Sequence, residues 1–401
     1  MPTIALTNRP VSALACGYDL RVVNLCRQSS DDLHLIVAPV GDQIAVDAQV
    51  DRSSVFRSIH EVEFDVSAQR PSWRRHLRTR EADFLRLAYP RAFANAVQRI
   101  RAIAHAAEAE RMIVFGSNLA GLAWASGIRH VLFDVCDSVS LTARRQAAIE
   151  TGSHTVTRRL RRHLQQWRWE RTESKLPHWF SQVTTINDAD SETVRRLAGL
   201  PAGRNVHTVP NGVGEHFLEA EPPAERRRGV VFWGNLPFPP NREAVRFFFD
   251  AVYHPWLSGR GIEVCIVGRD AEPWLVDLAA RDPWVRLTGF VDDLAAAVGQ
   301  YPVMVNPMRS GSGMKNKVLE AFALGLAVVS TDLGMEAFLD AEHERHFLRA
   351  DGPAEFAQAI VRLLDDVSLR NSLVENGRSL LLTRYRWEAI GRRWNALLEQ
   401  V

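Results

Sequence analysis

Cysteine is scarce in this chain: four residues in 401, Cys16, Cys26, Cys136 and Cys265, with no Cys-x-x-Cys pair among them. That excludes a disulfide framework or a cysteine zinc site and reads as reduced thiols. The 13 histidines lack His-Glu-x-x-His spacing, so the common zinc-hydrolase helix is missing too. His154, His163 and His178 read as surface residues of a basic region. No Gly-x-x-x-x-Gly-Lys-Ser/Thr run is present, and Gly311-Ser312-Gly313 does not extend to a Gly-x-Ser-x-Gly elbow; a P-loop and that serine-hydrolase signature are excluded. No apolar run approaches the roughly 18 residues of a membrane span, and residues 1–7 lack a basic segment before a long apolar one. Neither a transmembrane helix nor a signal peptide is expected, which points to a cytoplasmic protein.

What remains is an ordinary globular composition, 46% hydrophobic and 24% charged, in a chain long enough for two domains. The net charge of +2 is unevenly spread. Residues 70–101 carry a run of arginines against Glu81 and Asp83 alone, and residues 144–175 hold nine basic side chains against three acidic ones. Arg158, Arg159, Arg161 and Arg162 are interleaved with Leu160 and Leu164, and Trp167 and Trp169 follow. Such a helix fits the inner face of an anionic membrane or is a solvated face. No nucleic-acid-binding motif accompanies the charge.

Strand patterns at 2–7, 33–38, 112–115, 130–135, 183–186 and 206–210 alternate with helical stretches, among them 92–110 and 188–197. Alternation of this kind predicts βαβ units and a parallel sheet. The loop Gly17-Tyr18-Asp19-Leu20-Arg21 follows the first strand. Asp137 follows the strand at 130–135 and is either a helix N-cap or a general base. The stretch 219–228, rich in Pro, Glu and Arg, marks the boundary. A second series follows, with strands at 229–233, 262–267, 285–287, 301–305 and 327–331 and helices at 243–251, 354–364 and 368–380; a helix at 385–401 ends the chain. The predicted domains are 1–218 and 219–384, with 385–401 as a separate final helix.

Residues 306–320 organise the second series: a strand, a Gly/Ser turn, then a helix running to Gly325, where a C-cap glycine is expected. At about 100° per residue Val318, Leu319 and Phe322 share one helix face, while Asn316, Lys317 and Glu320 share the opposite arc. A helix N-terminus behind small residues suits phosphate, Lys315 and Lys317 add positive charge, and Glu320 can accept from ribose hydroxyls. The competing reading is a solvated face with a Lys317–Glu320 ion pair.

Val209-Pro210-Asn211-Gly212-Val213, Phe232-Trp233-Gly234-Asn235, Val267-Gly268-Arg269, Thr288-Gly289-Phe290-Val291-Asp292-Asp293 and the run from Gly311 to Gly325 together resemble the group 1, or family 4, glycosyltransferases of GT-B architecture. Gly17, Asp19 and Arg21 are similar to the loop of a bacterial subgroup of exopolysaccharide sugar transferases. The resemblance implies an α/β fold of two Rossmann-like domains facing across a cleft, with the last helix crossing back to the first domain. It implies a nucleotide-sugar donor and no obligatory metal or other cofactor. Lys315, Lys317 and the amides near Gly311 and Gly313 would hold the diphosphate, with Asn235, Asn241 and Arg242 nearby. Glu320 would hold the ribose, and Arg269, Phe290 and Val291 the base. Gly17, Tyr18, Asp19 and Arg21 would form an acceptor-side loop, and Asp137 matches a position near acceptor and donor sugar. One departure stands out: Ser312 occupies the place, eight before Glu320, where the family commonly has a first Glu.

The resulting expectation is a retaining transferase acting on a saccharide or lipid-linked acceptor in bacterial polysaccharide or glycoconjugate synthesis, peripheral on the membrane's inner face. The alternatives are a silent nucleotide-sugar-binding partner protein and a protein-modifying glycosyltransferase.

Overall fold

A computed structural model describes residues 1–11, 17–39, 55–64, 80–149, 156–201 and 203–401. Cys16, the arginines between 70 and 79, and His154 lie outside them. The chain forms two compact units: Met1–Asn211 with Ser312–Met314 and Trp387–Val401, and Gly212–Gly311 with Lys315–Arg386.

The first unit is built on seven parallel strands, β1 (Pro2–Thr7), β2 (Asp32–Val37), β3 (Ser58–Glu61), β4 (Arg111–Phe115), β5 (His130–Asp134), β6 (Gln182–Thr185) and β7 (Val206–Thr208). Their order is β3-β2-β1-β4-β5-β6-β7. The helices are α1 (Gly17–Gln28), α2 (Glu81–Ala88), α3 (Pro90–Ala106), α4 (Ala120–Ser126), α5 (Val139–Ile149), α6 (Val156–Glu173), α7 (Leu176–Trp179) and α8 (Asp188–Ala198). Successive strand residues supply opposite faces: Ile4, Leu6, Met112, Val114 and Phe133 pack under α3 and α4, while Ala5, Ile113, Phe115 and Leu132 pack with α1.

The second unit repeats the plan. Strands β8 (Gly229–Trp233), β9 (Glu263–Val267), β10 (Val285–Gly289), β11 (Val303–Asn306), β12 (Ala327–Ser330) and β13 (Leu348–Arg349) run in the order β10-β9-β8-β11-β12-β13, all parallel. Runs such as Val230-Val231-Phe232-Trp233 are continuously apolar because both faces are covered. The helices are α9 (Glu215–Glu219), α10 (Pro239–Phe247), a π-type helix (Phe248–Leu257), α11 (Pro273–Arg281), α12 (Leu294–Val298), α13 (Asn316–Ala323), α14 (Asp332–Met335), α15 (Pro353–Asp365) and α16 (Val367–Arg384).

The final helix, α17 (Trp387–Leu398), belongs to the first unit. Trp394 is fully buried and stacks on Phe115 at 6.0 Å between ring centroids, and Asn395 Nδ2 donates to the Gln28 carbonyl at 2.7 Å. The crossing back expected of the last helix is therefore present.

In both sheets the strand order reverses beside the first strand, between β1 and β4 and between β8 and β11. Ligands of doubly wound folds bind in the crevice outside the carboxyl ends of the strands at such a reversal.

Several local expectations change. Residues 17–21 are the first turns of α1, with Asp19 favourably placed at its positive end. The helix expected at 243–251 starts at Pro239, since proline is well suited to a first helical turn. The units divide at Asn211/Gly212, ahead of the stretch at 219–228. Residues after the division are already tied to the second unit: Val213 N–H donates to the Tyr385 carbonyl at 3.0 Å and Phe217 is buried.

Candidate functional site

In the second unit, β8 and β11 deliver the residues that matter. α13 starts after the β11 loop with Lys315 as its N-cap residue, whose own side chain makes no capping bond, and its N-terminus is the positive end of the helix dipole. Gly325, just past its end, has φ +64°, the left-handed conformation of a C-cap glycine. Val318, Leu319 and Phe322 are buried, which turns Asn316, Lys317 and Glu320 toward the carboxyl edge of the sheet.

Lys317 does not pair with Glu320. Its Nζ donates to Asn241 Oδ1 at 3.0 Å and lies 3.9 Å from the centre of the Phe232 ring. Asn241, in the first turn of α10, donates its Nδ2 to the Asn235 carbonyl at 2.9 Å, which fixes its oxygen toward the lysine. The close approach depends on Gly234: a Cβ there would come within 2.9 Å of Asn241 Nδ2 and 3.3 Å of Lys317 Nζ. Glu320 accepts from the Trp233 indole N–H at 2.5 Å. Burial pulls the Lys317 ammonium down to about 7, with Glu320 opposing the shift. Burial pushes the Glu320 carboxyl up, against the Trp233 hydrogen bond and the charge of Lys317. The pair is thus an amine brought close to its own titration beside a carboxyl group held by an indole.

Around this pair, Lys315 and Asn316 are half-buried, while Asn235 and Arg242 are exposed. Arg269 is exposed after β9, and Phe290 is exposed after β10 with Val291 half-buried beside it in sequence. Gly311 is buried in the β11 loop. The carboxyl edge of one sheet therefore gathers two lysines, a helix N-terminus, a carboxylate and an exposed aromatic ring.

The remaining candidates lie in the first unit. Asp137 is exposed, three residues beyond β5. It is not the cap of α5: Ser138 Oγ accepts the Leu141 N–H at 3.2 Å in that role. Ser312 Oγ donates to the Ser138 carbonyl at 3.0 Å and Gly313 N–H to Asp190 Oδ2 at 3.0 Å. Of the four residues expected in an acceptor-side loop, only Gly17 is exposed. Tyr18 donates to the Phe115 carbonyl at 3.0 Å, and Asp19 is buried and paired with Arg9 at 3.0 Å. Arg21 is enclosed, holding both Asp134 oxygens at 2.7 and 2.8 Å and the Val209 carbonyl at 2.8 Å. Its guanidinium is a strut between α1, β5 and the end of β7 rather than a ligand contact.

Two buried carboxylates were not singled out from the sequence as site residues, Glu173 and Asp190, which both bind the turn at Ser138. One signal for the donor side was overlooked: the chain has only three lysines, Lys175, Lys315 and Lys317, so two of them sit in one turn. Among the described residues no group of three or more His, Cys, Asp and Glu side chains is placed to hold a metal ion.

Residues 227–366, almost all of this second unit's sheet and its helices, match the family described as glycosyl transferases group 1. The match covers about a third of the chain and makes the second unit similar to a group 1 glycosyl transferase domain. Among curated proteins, phosphatidyl-myo-inositol mannosyltransferase of Mycolicibacterium smegmatis is 29% identical over 53% of this chain and 56% of its own length. Alpha-D-kanosaminyltransferase of Streptomyces kanamyceticus is 25% identical over 52% and 58%. The chain thus spans a little over half the length of these relatives. Among solved structures, Anabaena HepE in complex with UDP-glucose superposes with a TM-score of 0.70 at 13% identity, over 100% of both chains. The glycosyltransferase WaaG of lipopolysaccharide biosynthesis gives 0.62 at 12%, over 99% of both. The fold is GT-B.

Proposed function

We propose that this protein transfers a sugar from a nucleotide-sugar donor to a saccharide or lipid-linked acceptor. The observation that carries the reading is the Lys317–Asn241 and Glu320–Trp233 arrangement at the strand-order reversal of a unit similar to a group 1 domain. Lys315, Lys317 and the N-terminal end of α13 hold the diphosphate, Glu320 takes the ribose hydroxyls, and Arg269, Phe290 and Val291 border the base. HepE binds UDP-glucose on the same fold, which supports a nucleotide sugar here.

Cleaving the donor leaves a diphosphate whose negative charge must be stabilised as it develops. Lysines and a helix N-terminus at that position do so without a divalent metal. Asp137 accepts the proton of the attacking hydroxyl or orients it. One relative's name pairs a mannosyl group with phosphatidyl-myo-inositol, which supports a lipid acceptor, while the other names only the sugar, kanosamine. The anomeric configuration is retained, as the family resemblance implies. The basic residues of α6 support contact with the inner face of an anionic membrane. No helix among the described residues is long and apolar enough to cross one.

The test is release of nucleoside diphosphate from a panel of UDP-, GDP- and dTDP-sugars, with and without a chelator. One donor should be turned over at a rate the chelator leaves unchanged. Turnover that the chelator abolishes would overturn the metal-free reading.

A further inference from the structure

Asp137 sits on a turn fixed at both ends by buried charge. On its near side Asp134 is locked by Arg21 and by the Thr184 hydroxyl at 2.7 Å. Cys136 then takes φ +60°, a left-handed conformation that a non-glycine residue holds only when its surroundings enforce it. On the far side stand the two carboxylates. Glu173, the last residue of α6, accepts from Ser138 Oγ at 2.8 Å, from the Ser140 N–H at 3.2 Å and from the Ser140 hydroxyl. Asp190, in the first turn of α8, accepts the Ser138 N–H at 3.3 Å.

Both carboxylates are fully buried. Burying a carboxylate is costly unless donors compensate it, and all of Glu173's donors come from the single turn 138–140. Burial pushes the Glu173 carboxyl up, against the hydrogen bonds of Ser140, Ser138 and Val139, and the group meets the positive end of α5, where an anion is favoured. An apolar residue at 173 would leave the buried Ser138 and Ser140 donors without their acceptor. The arrangement makes sense as a device for holding the turn.

We infer that Glu173 is a positioning residue for Asp137. From the end of α6 it grips the start of α5, and with Asp190 it holds the strained Cys136–Ser138 turn so that the Asp137 carboxylate is presented at one fixed point beyond β5. This rests on the assignment of Asp137 to the acceptor hydroxyl.

The test combines Glu173→Ala and Asp137→Asn in a double-mutant cycle, with backbone hydrogen exchange at residues 138–142. Glu173→Ala should lower kcat by about tenfold or more, leave nucleoside diphosphate affinity unchanged and speed exchange in that turn. In the Asp137→Asn background it should lower kcat no further, since its effect passes through a group already removed. Equal losses in both backgrounds, or unchanged exchange, would overturn the positioning role. If Asp137→Asn alone leaves kcat intact, the assignment of Asp137 falls, while the exchange result still reports on the grip itself. Ser140→Ala removes one donor from Glu173 and serves in the same cycle should Glu173→Ala fail to fold.

Discussion

Lys317 is held close to its own titration. Its ammonium, brought down to about 7 by burial, is only partly protonated at neutral pH in the free protein. A bound diphosphate favours the charged form, so binding raises the pKa and draws in a proton. Affinity is therefore full below pH 7 and falls as pH climbs above it, until the bound-state value is passed. Calorimetry of nucleoside diphosphate between pH 7 and 9, in buffers of different ionisation heat, should show this proton uptake. The window lies above the phosphate's own titration near about 6. In Lys317→Ala the uptake should vanish. Lysine is not interchangeable with arginine here: the compact ammonium sits against Phe232 and Asn241 under a glycine, and the larger planar guanidinium cannot repeat those contacts without displacing a neighbour. In a chain that otherwise uses arginine almost throughout, Lys317→Arg should weaken binding nearly as much as Lys317→Ala.

At the scale of elements, α13 is fastened at the end away from its lysines. Arg226 donates to the Leu324 and Gly325 carbonyls at 2.9 and 2.7 Å, and Arg378 to the Ala323 carbonyl at 2.5 Å. These guanidiniums satisfy the last carbonyls of the helix and complement its negative end. Gly325→Ala puts a side chain into a left-handed turn and brings its Cβ to 3.3 Å from Val374. Chemical denaturation should report a loss of about 1 kcal/mol, with nucleotide affinity reduced in step if the C-cap helps to orient the lysines.

α13 was also the element most legible in the sequence, because a glycine turn, a helical apolar face and a C-cap glycine all agreed. The strands β1 and β8 were equally clear as apolar runs. α11, α12 and the short edge strands β3 and β13 were not read, being brief and half-exposed. The partners of the site residues were beyond local pattern. Trp233 and Glu320 are 87 positions apart, and Ser138 and Glu173 are 35 apart. The loop read at residues 17–21 became helix because Asp19 and Arg21 find partners in Arg9 and Asp134, which sequence spacing does not reveal.

For the whole molecule, the informative feature is that the first unit is discontinuous: its core includes α17, contributed from beyond the second unit. Removing residues 387–401 deletes Trp394 and its stacking on Phe115. Loss of a buried tryptophan alone costs about 3–5 kcal/mol, so the truncated chain should lose the first unit's unfolding transition in calorimetry, or show it at much lower temperature. The second unit, whose sheet and α13 are intact, should keep its transition.

The central claim is that α13 and its partners form a nucleotide-sugar diphosphate site, and calorimetric titration of UDP, GDP and dTDP tests it most directly. The wild type should bind one of them selectively. Lys317→Ala and Glu320→Ala should each weaken that binding by about 1.5–3 kcal/mol, roughly 10- to 150-fold in Kd, with melting transitions preserved. Binding that survives both substitutions unchanged would contradict the account.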